Sequence, residues 1–270
     1  MKFESKSAQK LTALITGASS GLGESIARNC AGRGHDLILV SENAKELNRV
    51  RNEIKGRFSC SVTIIVLDLF RPDSADRLFD LCNRRRFTVD ILVNCAGIFL
   101  NIDREMREID CVDNILNLHI ASFTKLCFLF GRLMIERRRG YILNVSSIAA
   151  YFPDPASLTY GPTKRYILSL SEALHCEWKR HNVRVTCITP GGIDTNFFKA
   201  NNVFVPRIIK SSQISPEKCA EIGLGALFKG KARITPGIRG KLQSVFLRAL
   251  ARPSTYDIIK KSYFSMKERQ

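Results

Sequence analysis

Short apolar runs alternate with longer stretches of helical periodicity along most of this chain. Residues 11–16, 36–41, 62–67, 91–94, 141–146 and 183–188 read as buried strands. Between them, residues 21–33 read as a helix ended by Gly34, and 44–55 as a helix with a polar face. Pro72 is expected to open a third helix, at a position where its missing N–H is harmless. A long helical stretch runs to about Arg138, and another spans 156–181. Continuous apolar strands alternating with helices imply a parallel sheet covered on both faces. The predicted fold is therefore α/β, doubly wound, with about seven strands; residues 232–236 supply the last. In such sheets the ligand crevice lies beyond the carboxyl ends of the strands. The polar and glycine-rich residues cluster at those ends.

Composition narrows the picture. The 270 residues are 45% hydrophobic, enough for a sizeable core, and suit one domain spanning 1–270. No apolar run approaches the roughly 20 residues that span a bilayer. The start, Met1 to Lys10, is polar and lacks an apolar signal core, so a cytoplasmic protein is expected. Nine cysteines, scattered and without a CxxC pair, argue for reduced thiols rather than a disulfide framework or a metal site. The net charge of +17 is uneven: residues 199–270 carry 15 Lys/Arg and 4 Asp/Glu, a net +11. Such a basic segment attracts an anionic substrate or an acidic membrane surface, or simply forms a solvated face. No aromatic residues interleave with these charges as a base-stacking platform would require, so nucleic acid is not expected.

Four motifs stand at strand ends. Thr16-Gly17-Ala18-Ser19-Ser20-Gly21-Leu22-Gly23 follows the first strand and opens a helix. There, glycines let the backbone approach a pyrophosphate, and the helix start offers free N–H groups. Its spacing is GxxxGxG rather than the commoner GxGxxG. Asn94-Cys95-Ala96-Gly97 follows the fourth strand. The fifth strand ends in Ser146-Ser147; thirteen residues on comes Tyr160, and four later Lys164. On a helix the last two share one face. A phenol near pKa 10 is a poor base, and a neighbouring ammonium lowers that value. A serine, an activated tyrosine and a lysine together can polarise a carbonyl and pass it a proton. Pro190-Gly191-Gly192-Ile193-Asp194-Thr195 follows the sixth strand.

In this order, over residues 11–195, the motifs resemble those of the short-chain dehydrogenase/reductase family, with its Rossmann-type fold. TGASSGLG resembles the TGxxxGxG turn, Asn94-Cys95-Ala96-Gly97 the NNAG motif with Cys95 in place of an asparagine, Tyr160 to Lys164 the YxxxK motif, and Pro190-Gly191 the PG motif. Asn117 matches the fourth catalytic position. The resemblance implies that Tyr160 gives and takes the substrate proton. It implies that Lys164 holds the nicotinamide ribose and depresses the tyrosine pKa. Ser147 would orient the substrate oxygen with support from Ser146, and Asn117 would hold a water linking Lys164 to solvent. For the cofactor it implies contacts from Thr16, Gly17, Ser19, Ser20, Gly21, Leu22 and Gly23, and from Asn94, Ala96, Gly97, Pro190, Gly191, Ile193 and Thr195. Asp68 and Leu69 would meet the adenine, and Ser41 and Glu42 the adenosine ribose. An acidic Glu42 favours NAD over NADP, although Ser41 and Lys45 leave NADP open. His119 and His175 read as ordinary helix residues.

Beyond Thr195 an apolar loop at 196–206, with Phe197, Phe198, Val203 and Phe204, would wall a lipophilic substrate: a 3-oxoacyl thioester, a steroid or another ketone. Ser215-Pro216-Glu217 reads as a helix start. Leu242, Val245, Phe246 and Ala249 repeat at helical spacing, widened by Leu250 and flanked by Lys241 and Arg248. Such a stripe packs on the domain or a subunit partner, or rests on a membrane. The family precedent is a homodimer or homotetramer. The competing reading is a dinucleotide-binding redox sensor without useful turnover; the full set Asn117, Ser147, Tyr160 and Lys164 argues against it.

Overall fold

A computed structural model describes residues 10–195, 197, 213–249, 256–258, 260, 261, 264 and 265. Seven strands form one sheet: β1 (Thr12–Thr16), β2 (Asp36–Ser41), β3 (Val62–Val66), β4 (Ile91–Asn94), β5 (Gly140–Val145), β6 (Val183–Ile188) and β7 (Arg233–Ile234). Their order is β3-β2-β1-β4-β5-β6-β7, and every neighbouring pair is parallel. The chain moves outward from β1 to β3, then returns to place β4 on the other side of β1. That reversal leaves a crevice at the carboxyl ends of β1 and β4.

Strand residues alternate between two cores, as a period of two requires. Leu14, Ile38, Val40 and Leu92 face one core; Ala13, Ile15, Leu37 and Leu39 face the other. The first is covered by α3 (Ser74–Arg84), α6 (Phe123–Glu136) and α7 (Tyr160–Trp178). The second is covered by α1 (Gly21–Gly32), α2 (Ala44–Lys55) and a helix we label α8 (Pro216–Phe228). Ser215 caps α8, its hydroxyl accepting the Lys218 N–H at 3.2 Å, and Pro216 stands at the first turn as its sequence predicts.

Three expectations are corrected. Pro72 lies before α3, which starts at Ser74. The long stretch before β5 is broken into α4 (Ile102–Arg107), α5 (Ile109–Leu116), a π-helical turn (Asn117–Ser122) and α6. The run Ile109–Glu136 is long and apolar enough to cross a membrane, yet half of its most apolar window is buried in the domain; Asp113, Lys125 and Arg132 interrupt it as a sequence. Finally, α7 begins at Tyr160 rather than at 156. Glu105 of α4 causes that. Its carboxylate accepts from Ser157 Oγ at 2.7 Å, Leu158 N at 2.6 Å and Thr159 N at 2.9 Å, and also from the Thr159 hydroxyl. A buried carboxylate satisfying the free N–H groups ahead of the helix fixes its start and favours the positive end of its dipole.

All nine cysteines are free thiols. Two arginine triplets, Arg84-Arg85-Arg86 and Arg137-Arg138-Arg139, stand where α3 and α6 end; in the second, Arg137 donates to Val89 O at 2.8 Å and Arg139 pairs with Asp90 at 2.9 Å.

Candidate active site

Ser147 ends the loop after β5, and Tyr160 and Lys164 occupy the first two turns of α7. The Ser147 side chain lies close enough to the Tyr160 phenol to oppose the rise that burial imposes on it. Ser147 Oγ also accepts the Ala149 N–H at 3.1 Å, in a short turn over Ile148–Tyr151. Lys164 is buried, its ammonium 5.4 Å from the Tyr160 ring centre and donating to Val145 O at 3.2 Å. Ser146 ties the lysine's own backbone to the strand end, donating to Lys164 O at 2.6 Å. Burial lowers the Lys164 pKa to about 8. Burial also pushes the Tyr160 phenol above its usual value; the Ser147 side chain opposes this, and the Asp154 carboxylate adds to it. So in the protein alone the phenol is held neutral, and the expected depression by Lys164 is not what dominates.

Asn117 is half-buried where α5 passes into the π-helical turn. Two residues on, His119 points into the site. It is buried, with its ring centre 6.0 Å from that of Tyr160. His119 Nε2 accepts the Ile98 N–H at 3.2 Å, so the proton sits on Nδ1, which donates to Thr163 Oγ1 at 3.0 Å. Thr163 Oγ1 in turn donates to Tyr160 O at 2.9 Å. A Cβ at Gly97 would lie 3.1 Å from His119 Nε2 and 3.3 Å from Lys164 Nζ. The Asn94–Gly97 loop, the π-helical turn and α7 therefore close on one another through this imidazole.

The dinucleotide cradle lies across the crevice. Thr16 Oγ1 accepts from Cys95 N at 3.0 Å and Ala96 N at 3.1 Å, which locks the turn after β1 to the loop after β4. Gly17 has φ +66°, and a Cβ there would lie 2.8 Å from Ala96 Cα; a Cβ on Gly23 would lie 2.1 Å from Gly17 O. Only glycine fits such approaches. The N-terminus of α1 is not capped by the Ser20 side chain, which leaves backbone donors for phosphate. The loop after β6 folds over this turn: a Cβ on Gly21 would lie 3.4 Å from Thr195 Cγ2. Pro190 O accepts Ile148 N at 2.9 Å, and Ile193 bridges to Ile214. Asn94 Nδ2 donates to Asn144 Oδ1 at 2.9 Å, fixing β4 against β5. The residues present thus fit a dinucleotide.

The comparisons with known proteins agree with this geometry. A sequence model of the family described as short chain dehydrogenase matches residues 11–204. The chain belongs to the short-chain dehydrogenase/reductase family. It is an NAD(P)-dependent oxidoreductase. The very-long-chain 3-oxoacyl-CoA reductase of Rattus norvegicus is 28% identical over 240 residues, 87% of this chain and 75% of that protein. An uncharacterized oxidoreductase of Staphylococcus aureus is 27% identical over 219 residues, covering 81% and 91%. Among solved structures, one of a 7beta-hydroxysteroid dehydrogenase superposes with TM-score 0.82 at 23% identity, covering 93% and 96%. The Sphingobium yanoikuyae short-chain dehydrogenase in complex with NADPH gives TM-score 0.78 at 22% identity, covering 87% and 92%.

Several residues around the site of this dehydrogenase escape sequence reasoning. Phe99 packs on Tyr160 with ring centres 4.8 Å apart. With Leu100, Ala149, Ala156 and the partly buried Phe152 it forms an apolar wall. Of the wall expected from the 196–206 loop, Phe197 is 6.4 Å from the Tyr160 ring centre; Phe198, Val203 and Phe204 lie outside the described residues. At the carboxyl end of β2, the Ser19 and Ser41 hydroxyls are 3.0 Å apart, and Ser41 donates to Glu42 at 3.2 Å. Arg49 reaches Ser19 O at 3.4 Å, but its guanidinium is held by Glu24 at 2.7 Å, Glu46 at 2.7 Å and Glu53 at 3.1 Å. Asp68 accepts the Phe70 N–H at 2.9 Å, and Leu69 is buried beside it, both at the end of β3. No sequence spacing signals Glu105, whose partners lie 52–54 residues away, or the pairing of Arg49 with Glu24 of α1.

Proposed function

We propose that this dehydrogenase interconverts a ketone and a secondary alcohol on a lipophilic substrate, with Tyr160 as acid/base. The observation that carries the reading is the partly buried Ser147 beside the buried Tyr160, with Lys164 5.4 Å from the Tyr160 ring centre and Phe99, Phe152 and Phe197 packed around it. The bound nicotinamide supplies or accepts the hydride at the carbonyl carbon. Ser147 Oγ accepts the Ala149 N–H, and its hydroxyl hydrogen turns to the substrate oxygen when substrate binds. Tyr160 Oη carries the proton that this oxygen takes up during reduction. A phenol held neutral by burial is loaded for that direction. Lys164 uses one N–H on Val145 O and presents the others to the cofactor ribose. Asn117, at the π-helical turn, completes the proton path by holding a water beside Lys164.

At the adenosine end we infer a preference for NAD. The Glu42 carboxylate repels a 2′-phosphate, and the nearby Arg49 is already neutralised by three glutamates. That the Rattus norvegicus relative is named a very-long-chain 3-oxoacyl-CoA reductase supports trying 3-oxoacyl thioesters early among the lipophilic ketones.

The test is titration with NADH and NADPH by fluorescence, followed by cofactor absorbance with 3-oxoacyl thioesters and steroid ketones. Tyr160→Phe is expected to lower turnover by roughly 10²–10⁴-fold, the range of a lost acid/base group, with dinucleotide affinity nearly unchanged. Undiminished turnover in that variant refutes the assignment.

A further inference from the structure

The helix α9 (Ile238–Ala249) is inverted relative to an ordinary packing helix. Ile238, Leu242, Val245 and Phe246, at i, i+4, i+7 and i+8, share one face and are between 63% and 77% exposed. The opposite face meets the protein. Ser244 is buried there, and Leu247 packs against the core. A Cβ on Gly191 would lie 3.2 Å from Gln243 Oε1. The Arg248 guanidinium stacks 4.0 Å over the Tyr151 ring. The apolar stripe thus points away from the domain. Helical spacing places Arg239 on one flank of the stripe and Lys241 on the other. The chain has no Asp or Glu between Glu221 and Asp257 but seven Lys/Arg in that interval.

We propose that this face docks on an anionic lipid bilayer. An apolar stripe with basic flanks is the arrangement of helices that lie in the membrane interface, apolar side in the acyl boundary and cations among the headgroups. Charge decides against a second copy of the chain. Two such faces in two-fold contact would set the basic flanks carrying Arg239 and Lys241 against one another, on molecules of net charge +17. An anionic surface instead complements every flank. The docking also has a consequence for the crevice. Because α9 rests on the Ile148–Tyr151 turn and on Gly191, a bilayer held on its outer face lies one helix away from the turn that follows Ser147. The docking stands independently of which ketone is reduced.

The experiment is co-sedimentation of the full chain with phosphatidylcholine vesicles, either alone or with about one third phosphatidylglycerol, at low and raised salt. Binding to the phosphatidylglycerol vesicles is expected, at least about tenfold stronger than to phosphatidylcholine alone and weakened by salt. The double variant Val245→Glu/Phe246→Glu alters only exposed side chains. It is expected to lose at least about tenfold in vesicle binding while keeping its melting temperature and dinucleotide affinity. Failure of the folded wild type to sediment with anionic vesicles at low salt overturns the proposal. So does a double variant that binds them as well as wild type. If light scattering shows the substitutions splitting a dimer while vesicle binding is unchanged, a second copy covers this face and the proposal is wrong. Turnover of a water-soluble ketone, measured alongside, keeps a failure here separate from a failure of the proposed reaction.

Discussion

His119 gives a sharp test of how the site is held. Burial, aided by the Lys164 ammonium, lowers its pKa well below the usual 6.5. The geometry explains why the neutral ring is required: a proton on Nε2 would face the Ile98 N–H that this nitrogen now accepts. The unfolded chain protonates this histidine near pH 6.5, and the folded chain does not. Stability therefore falls as pH drops below that value, down to the folded pKa. With the folded ring neutral throughout, one such group costs about 1.4 kcal/mol by about pH 5.5, relative to about pH 7.5.

Other groups titrate in the same window. His35, also lowered by burial, acts in the same direction. Asp154, which burial raises to about 6, acts oppositely because the folded state takes up its proton more readily. Comparing wild type with His119→Gln cancels both. The glutamine keeps an acceptor within reach of Ile98 N and has no titration here. Thermal melts between about pH 7.5 and 5.5 should show wild type losing roughly 2–3 °C more than the variant, for a chain of 270 residues. Equal pH slopes for the two proteins would sink the argument that a neutral, buried His119 locks the Asn94–Gly97 loop to α7.

Two further outcomes are expected. Glu42→Arg should move the dinucleotide preference toward NADP in the fluorescence titration; a wild type that already prefers NADPH refutes the role given to Glu42. Glu105→Ala strands the Leu158 and Thr159 N–H groups ahead of α7 and should cost about 3 kcal/mol in denaturant unfolding; Glu105→Gln should recover part of this, and an alanine variant as stable as wild type contradicts the capping role.

Local pattern determined much of this protein. The apolar runs placed the six longer strands to within a residue, because buried strands leave an unmistakable composition. TGASSGLG, Asn94–Gly97, Ser147, Tyr160 and Lys164 were legible because each motif is contiguous or spans one helical turn, and strand ends must gather in one crevice. Pro190–Thr195 folds against the same turn for the same reason.

What escaped depends on segments far apart in sequence. Glu105 decides where α7 starts from 52–54 residues away, so the helix pattern over 156–159 read as helix when those residues are a capped turn. His119 looked like any helix residue, since nothing nearby in sequence shows that Ile98 and Thr163 converge on its two nitrogens. Arg49 is neutralised by carboxylates from two helices. The stripe on α9 was visible as periodicity, but periodicity reports only that a face is apolar. Which way that face points is fixed by packing against Gly191 and Tyr151, and only the tertiary structure turned it outward.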